Sequence, residues 1–282
     1  MNISERILVS RLFSRKSMLM LAQEDGHKKI RDEILAPLGE EVETLRNAFD
    51  SIYSNLLSEY RNEYVYKNAI AEKIVKGRHR LANVSYFTEF RVRKVIADCV
   101  VVNGSSTAYE IKTEYDSFSR LINQINTYKQ VFEVVNVVIP ESKLDKLLPI
   151  LPNDIGIVIL TERYTFSDVQ NSAIHTNSLD HDLVFDCLNK SEVFDIILRN
   201  FEELPDAKPA FVREACKEMF SYLSKDQACR EFKLALKQRA AIEKNKKTLV
   251  GFPNSLLSLL CVSNFSDKSY GIMLHNLDQK LT

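Results

Sequence analysis

Two short runs, "KVIADCVVV" at 94–102 and "TAYEIKT" at 107–113, are apolar enough to be buried strands, yet each carries charge in its interior. The "NGSS" between them is a turn signal, so the two runs fold back on each other as sheet neighbours. A carboxylate inside a buried strand is costly unless it is paired or bound to a cation. Asp98 therefore needs a companion, and the turn brings Glu110 alongside it. Because side chains alternate along a strand, Glu110 and Lys112 share one face while Tyr109 and Ile111 take the other. Two carboxylates on adjacent strands make a hard-oxygen site suited to magnesium, which keeps waters and uses one or two protein carboxylates. The bland alternative is a same-face ion pair on an exposed strand edge.

The rest of the chain fits an α/β protein. Residues 1–60 place Ile7, Leu8, Leu12, Leu45, Phe49, Ile52, Tyr53 and Leu56 at helical spacing among charges, as amphipathic helices do. "VSYFTEFRV" at 84–92 adds a third strand to the other two, an antiparallel meander. Asp116 then stands where a helix N-cap belongs, before "SFSRLINQINTYKQVF", whose Phe118, Leu121, Ile122, Ile125 and Tyr128 form one broad stripe. "VVNVVIP" and "IGIVIL" read as strands covered on both faces. After Ser178 the chain turns helical again: Pro209 opens one helix, 223–247 forms another, and Pro253 opens a last apolar segment. These patterns set an N-terminal helical region at 1–59, a core at 60–165, and a C-terminal helical region at 166–282 packed on that core.

Composition excludes several classes. Lys plus Arg and Asp plus Glu are 38 each, so contact with a polyanion must be local rather than global. Five widely spaced cysteines without a CxxC pair argue against a disulfide framework or structural zinc and for a reducing cytoplasm. No apolar run is long enough for a membrane span. No serine sits in a GxSxG turn, and seven glycines leave no Gly-rich nucleotide loop. His79, His175, His181 and His275 lack a ligand spacing and read as surface or capping residues. Between Lys73 and Lys94, seven basic residues face one acid, Glu89; this suits a phosphate footprint or an edge-protecting strand. The basic stretch from Lys225 to Lys247 reads more as a solvated helix face than as a DNA rail.

Asp98, eleven residues, Glu110, one residue, Lys112: this pattern resembles the PD-(D/E)XK nuclease superfamily, with Ala97 where the family commonly has proline. The element order αβββαβ is similar to that superfamily's restriction-endonuclease-like core, with helices added at both ends. Asn62-Glu63-Tyr64, Lys67, Asp98, Tyr109 to Lys112, Asp116-Ser117, Arg120-Leu121, Gln124 and Tyr128 also resemble a largely uncharacterised bacterial subfamily. The resemblance implies a metal-dependent nuclease, more specifically a DNA endonuclease. Asp98, Glu110, the backbone carbonyl of Ile111 and Glu63 would hold Mg2+, with Mn2+ as a substitute. Lys112 would orient the attacking water, and Gln124 would position it or a phosphate oxygen. Lys67, Arg78, Arg80, Arg91, Arg93, Lys94, Arg120 and Tyr128 are the expected nucleic-acid contacts. The competing reading keeps the fold as an inactive nucleic-acid-binding or assembly module. The apolar stripes of the N-terminal helices suit either a homodimer or packing on the core.

Overall fold

A computed structural model of the chain describes residues 2–39, 42–78, 84–240 and 249–281. By its internal contacts the chain divides into two units, one of 1–83, 162–165 and 241–282, the other of 84–161 and 166–240. The sequence division at 165/166 is also a unit boundary, while the first boundary falls at 83/84 instead of 59/60. The cause is local: the helix Glu63–Ala69 packs with the N-terminal helices, and a buried asparagine ties it to the far end of the chain. Asn68 Nδ2 donates to Tyr53 Oη at 3.1 Å and to the Asn254 carbonyl at 2.9 Å, while its Oδ1 accepts from the Ser258 N–H at 2.9 Å.

The first unit is helical. Thr44 caps the helix Leu45–Glu59, which buries Leu45, Ala48, Phe49, Ile52, Tyr53 and Leu56 at three- and four-residue spacing. Leu12 is buried as expected, but Ile7 is 56% exposed, because it lies off the inward stripe of the helix Ile3–Leu12.

The second unit is built on a mixed six-stranded sheet: β1 (Ser85–Val92), β2 (Val95–Asn103), β3 (Ser105–Ile111), β4 (Val134–Ile139), β5 (Gly156–Leu160) and β6 (Phe166–Gln170). The strands lie in chain order. The first three form the expected antiparallel meander, β3, β4 and β5 run parallel, and β6 returns antiparallel. Parallel neighbours need a crossover, and the helix Leu121–Tyr128 supplies it between β3 and β4. Its Leu121, Ile125 and Tyr128 are fully buried in one apolar cluster with Val100, Val102, Ala108, Val135, Val137 and Ile139 of the sheet. Phe185, Ile196, Phe220 and Phe232, from helices between His181 and Arg239, complete that cluster.

Two details of the crossover depart from expectation. Asp116 is not the helix N-cap, since the helix starts at Leu121 with Arg120 before it. The Asp116 carboxylate reaches back instead, accepting from the Thr113 N–H at 2.8 Å and Thr113 Oγ1 at 2.7 Å, which closes a turn at 113–116. Ile122 is 37% exposed, leaving the narrower stripe of Leu121, Ile125 and Tyr128 facing the sheet.

The β4–β5 ladder depends on a glycine. A Cβ at Gly156 would stand 1.8 Å from Asn136 Oδ1 and 3.1 Å from the Ser172 amide nitrogen. Gly156→Ala is expected to lower unfolding free energy by about 1–3 kcal/mol, the usual cost of overpacking, as a shift of the urea midpoint.

Candidate active site

The sheet positions the charged residues by register. The β2–β3 ladder runs from Asn103↔Ser105 to Cys99↔Tyr109, so the next pair outward sets Asp98 opposite Glu110. At that point the strands stop exchanging main-chain bonds in the ordinary way: the Ile111 N–H donates to Asp98 Oδ2 at 2.7 Å. In an extended strand the carbonyl points to the same side as the N–H, so the Ile111 carbonyl faces this gap too. Alternation sets Asp98 on the face of Val100 and Val102, and Glu110 on that of Ala108, the face which the Leu121–Tyr128 helix covers.

Glu110 is 1% exposed and Lys112 7% exposed. Lys112 Nζ donates to Glu110 Oε1 at 2.5 Å and to Gln124 Oε1 at 3.1 Å, while its own N–H is fixed to the Val138 carbonyl at 2.9 Å. The other carboxylate oxygen of Glu110, Oε2, accepts from Tyr128 Oη at 2.9 Å. Tyr128 Oη is also 2.7 Å from the Ile96 carbonyl on β2. Burial pushes the Glu110 carboxyl above its usual range, and Lys112, Tyr128 and Gln124 act against that rise. Burial and the neighbouring Glu110 carboxylate push the Tyr128 phenol upward as well, so it stays a proton donor.

The loop after Lys112 is held from outside. Lys143, which follows β4, donates from Nζ to the Asp116 carbonyl and sits 5.0 Å above the Phe118 ring. Burial lowers its ammonium below the usual lysine value. Neither Lys143 nor this use of Asp116 was legible from residue type alone, because the sequence around Lys143 reads as an ordinary charged turn.

Asp98, Glu110, Ile111, Lys112 and Gln124 thus converge. Glu63 belongs to the first unit, where its Oε1 accepts from Lys67 Nζ at 2.5 Å, one helical turn on. Among the described residues, no group of three or more His, Cys, Asp or Glu side chains is arranged to hold a metal ion.

The expected nucleic-acid contacts divide. Arg91, Lys94 and Arg120 are exposed, and so is Arg93, whose Nε pairs with Asp186 Oδ2 at 2.7 Å. Arg91 and Arg93 line an open depression of about 420 Å³ with Asp186 and Arg239, and Arg239 is itself paired with Glu192. The Arg78 side chain and Arg80 lie outside the described residues, as do 241–248 of the second basic stretch. Tyr128 is corrected: it is 0% exposed with its hydroxyl turned onto Glu110, so it offers no surface to a nucleic acid.

A family model described as Bacteriophage P4 protein cII matches residues 57–250, well over half of the chain. The chain belongs to this family. The P4 cII family segment takes in Glu63, the whole six-stranded sheet, the crossover helix and every residue of the converging site. Protein cII of Enterobacteria phage P4 is 29% identical over 110 residues, 39% of this chain and 38% of that protein, so the similarity spans well under half of the curated relative. A solved structure, the SPO1766 protein of unknown function from Silicibacter pomeroyi, is 14% identical over 50% of this chain and 93% of its own, with a TM-score of 0.33. That likeness is too loose to bear on the fold. No helix among the described residues is long and apolar enough to cross a membrane.

The ion pair makes a stability test. Lys112→Ala leaves Glu110 buried and unpaired, and is expected to cost about 3–5 kcal/mol by urea unfolding. The double variant Lys112→Met with Glu110→Gln should recover most of that loss, since no buried charge remains and the Tyr128 hydroxyl keeps an acceptor.

Proposed function

We propose that the chain is a magnesium-dependent nuclease with a restriction-endonuclease-like core, acting on DNA as an endonuclease. The observation that carries this reading is a buried lysine held between Glu110 and Gln124, with Asp98 facing Glu110 where the β2–β3 ladder ends. A fold does not bury an ammonium and a carboxylate cheaply, and a well-packed apolar pair of similar size often does as well for stability. Chemistry is a reason to keep them.

The donor set fits a hard divalent cation. Two carboxylates from adjacent strands and the Ile111 carbonyl are all oxygen ligands, and a carboxylate as desolvated as Glu110 gains most from a cation. A bound Mg2+, or Mn2+ in its place, supplies a lowered water pKa and neutralises charge on the scissile phosphate. The protein's part is orientation. Lys112 holds a hydrogen-bond donor at the site and stabilises a hydroxide there, Gln124 fixes the direction of the Lys112 side chain, and Asp98 and Glu110 hold the ligand oxygens. Arg91, Arg93, Lys94 and Arg120 offer charge to the phosphate backbone.

A second reading, an inactive nucleic-acid-binding or assembly module, has one observation in its favour. Both oxygens of Glu110 already have protein donors, Lys112 and Tyr128, so the pair is satisfied without a cation. The two readings part on cleavage. Supercoiled plasmid, linear duplex, single-stranded DNA and RNA are incubated with Mg2+, Mn2+ or chelator and the native chain, Asp98→Asn or Glu110→Gln. Metal-dependent nicking or linearisation of plasmid is expected, reduced on the order of 100-fold or more in either isosteric variant. Intact substrates throughout, or cutting that both variants retain, would move the assignment to the binding module.

A further inference from the structure

We infer that Tyr128 is a positioning residue of this site, its hydroxyl fixing the orientation of the Glu110 carboxylate and holding β2 against β3 where Asp98 lies. The inference rests on the nuclease reading and assigns the residue a role away from the nucleic acid. It starts from the helix. Gln124 and Tyr128 are four residues apart, hence on one face of Leu121–Tyr128, and that face meets both members of the ion pair. Gln124 Oε1 takes Lys112, and Tyr128 Oη takes Glu110 Oε2. One rigid element therefore sets both side chains.

The hydroxyl does a second task. It lies 2.7 Å from the Ile96 carbonyl as well as 2.9 Å from Glu110, so a single phenolic hydrogen is shared between a β2 backbone acceptor and a β3 carboxylate. The two strands are otherwise past the last pair of their ladder, where the Asp98 side chain takes the Ile111 N–H. Tyr128 is thus a tie across the gap that the two carboxylates face. The ring is buried against Phe132 with centroids 6.3 Å apart, so the hydroxyl is aimed by packing rather than by solvent. Without it, the terminal torsion of Glu110 is one of the broad, weakly held kind, and a buried carboxylate oxygen loses its donor. Removing such a partner of a ligating carboxylate typically costs 10–100-fold in metal affinity or activity.

The test is a Mn2+ titration by calorimetry of the native chain and Tyr128→Phe at neutral pH, with urea unfolding of both and cleavage kinetics. Phe keeps the ring and its packing. The expected result is Mn2+ binding weakened about 10–100-fold, with kcat lowered and KM for DNA unchanged. Equal Mn2+ affinity in the two proteins would overturn the inference and leave the nuclease reading standing, since the hydroxyl would then serve packing alone. A raised KM with unaltered Mn2+ binding would overturn it in favour of a substrate contact. A native chain that binds no Mn2+ would remove the nuclease reading itself, and the positioning role with it.

Discussion

The buried pair of Lys112 and Glu110 is the constraint around which the second unit is arranged. Neither charge is stable there on its own, so every neighbouring element has to supply a hydrogen bond: Gln124 to the ammonium, Tyr128 to the carboxylate, Val138 to the backbone that carries the lysine. Those three come from the crossover helix and from β4, the elements that a parallel β3–β4 pair brings to one place. An antiparallel hairpin after β3 would need no helix over this face, and the pair would stand in water, where it is worth little. Topology and charge are therefore one requirement.

Position in the sheet follows the same logic. Lys112 leaves the carboxyl end of β3 and Lys143 follows the carboxyl end of β4, with the turn of Thr113 and Asp116 between them. In open α/β sheets, ligands commonly bind outside the carboxyl ends of the strands. Here β3 is the strand with an antiparallel neighbour on one side and a parallel one on the other. The gap between Asp98 and Glu110 lies on the antiparallel side, and the lysine turns out toward the end.

Much of this was legible in the sequence, and the reasons are specific. β2, β3, β4 and β5 announced themselves because strands covered on both faces must be almost wholly apolar, which makes the two charged interior positions stand out. The "NGSS" turn then gave the register that sets Asp98 against Glu110. β6 was not found, because "FSDVQ" is an exposed edge with no apolar pattern to show. The helix start was misplaced because Asp116 suits an N-cap and a backward turn equally well, and the choice is made by Lys143 and Thr113 rather than by Asp116 itself. Tyr128 fits both the apolar stripe and the nucleic-acid contacts by sequence, and the structure decides for the stripe: the sheet occupies that side of the helix. The union of the N-terminal helices with the chain's end rests on Asn68 and its long-range partners, which no local pattern encodes.

What distinguishes a chemical site from a structural ion pair is how much of its surroundings is spent on direction rather than on neutralisation. A salt bridge needs only proximity. Here the lysine's backbone is bonded to β4, the turn that follows it is closed by Asp116, and that turn is fastened again by Lys143 from the next strand's end. The carboxylate opposite is held by a phenol, and the second carboxylate takes a main-chain N–H in place of a strand partner. Each of these bonds restricts an angle more than it adds stability, since a net hydrogen bond is worth only about 1 kcal/mol. Preorganisation of this kind is what the proposed nuclease reading asks of the site, and the direction of these bonds supports that reading beyond the presence of the charges.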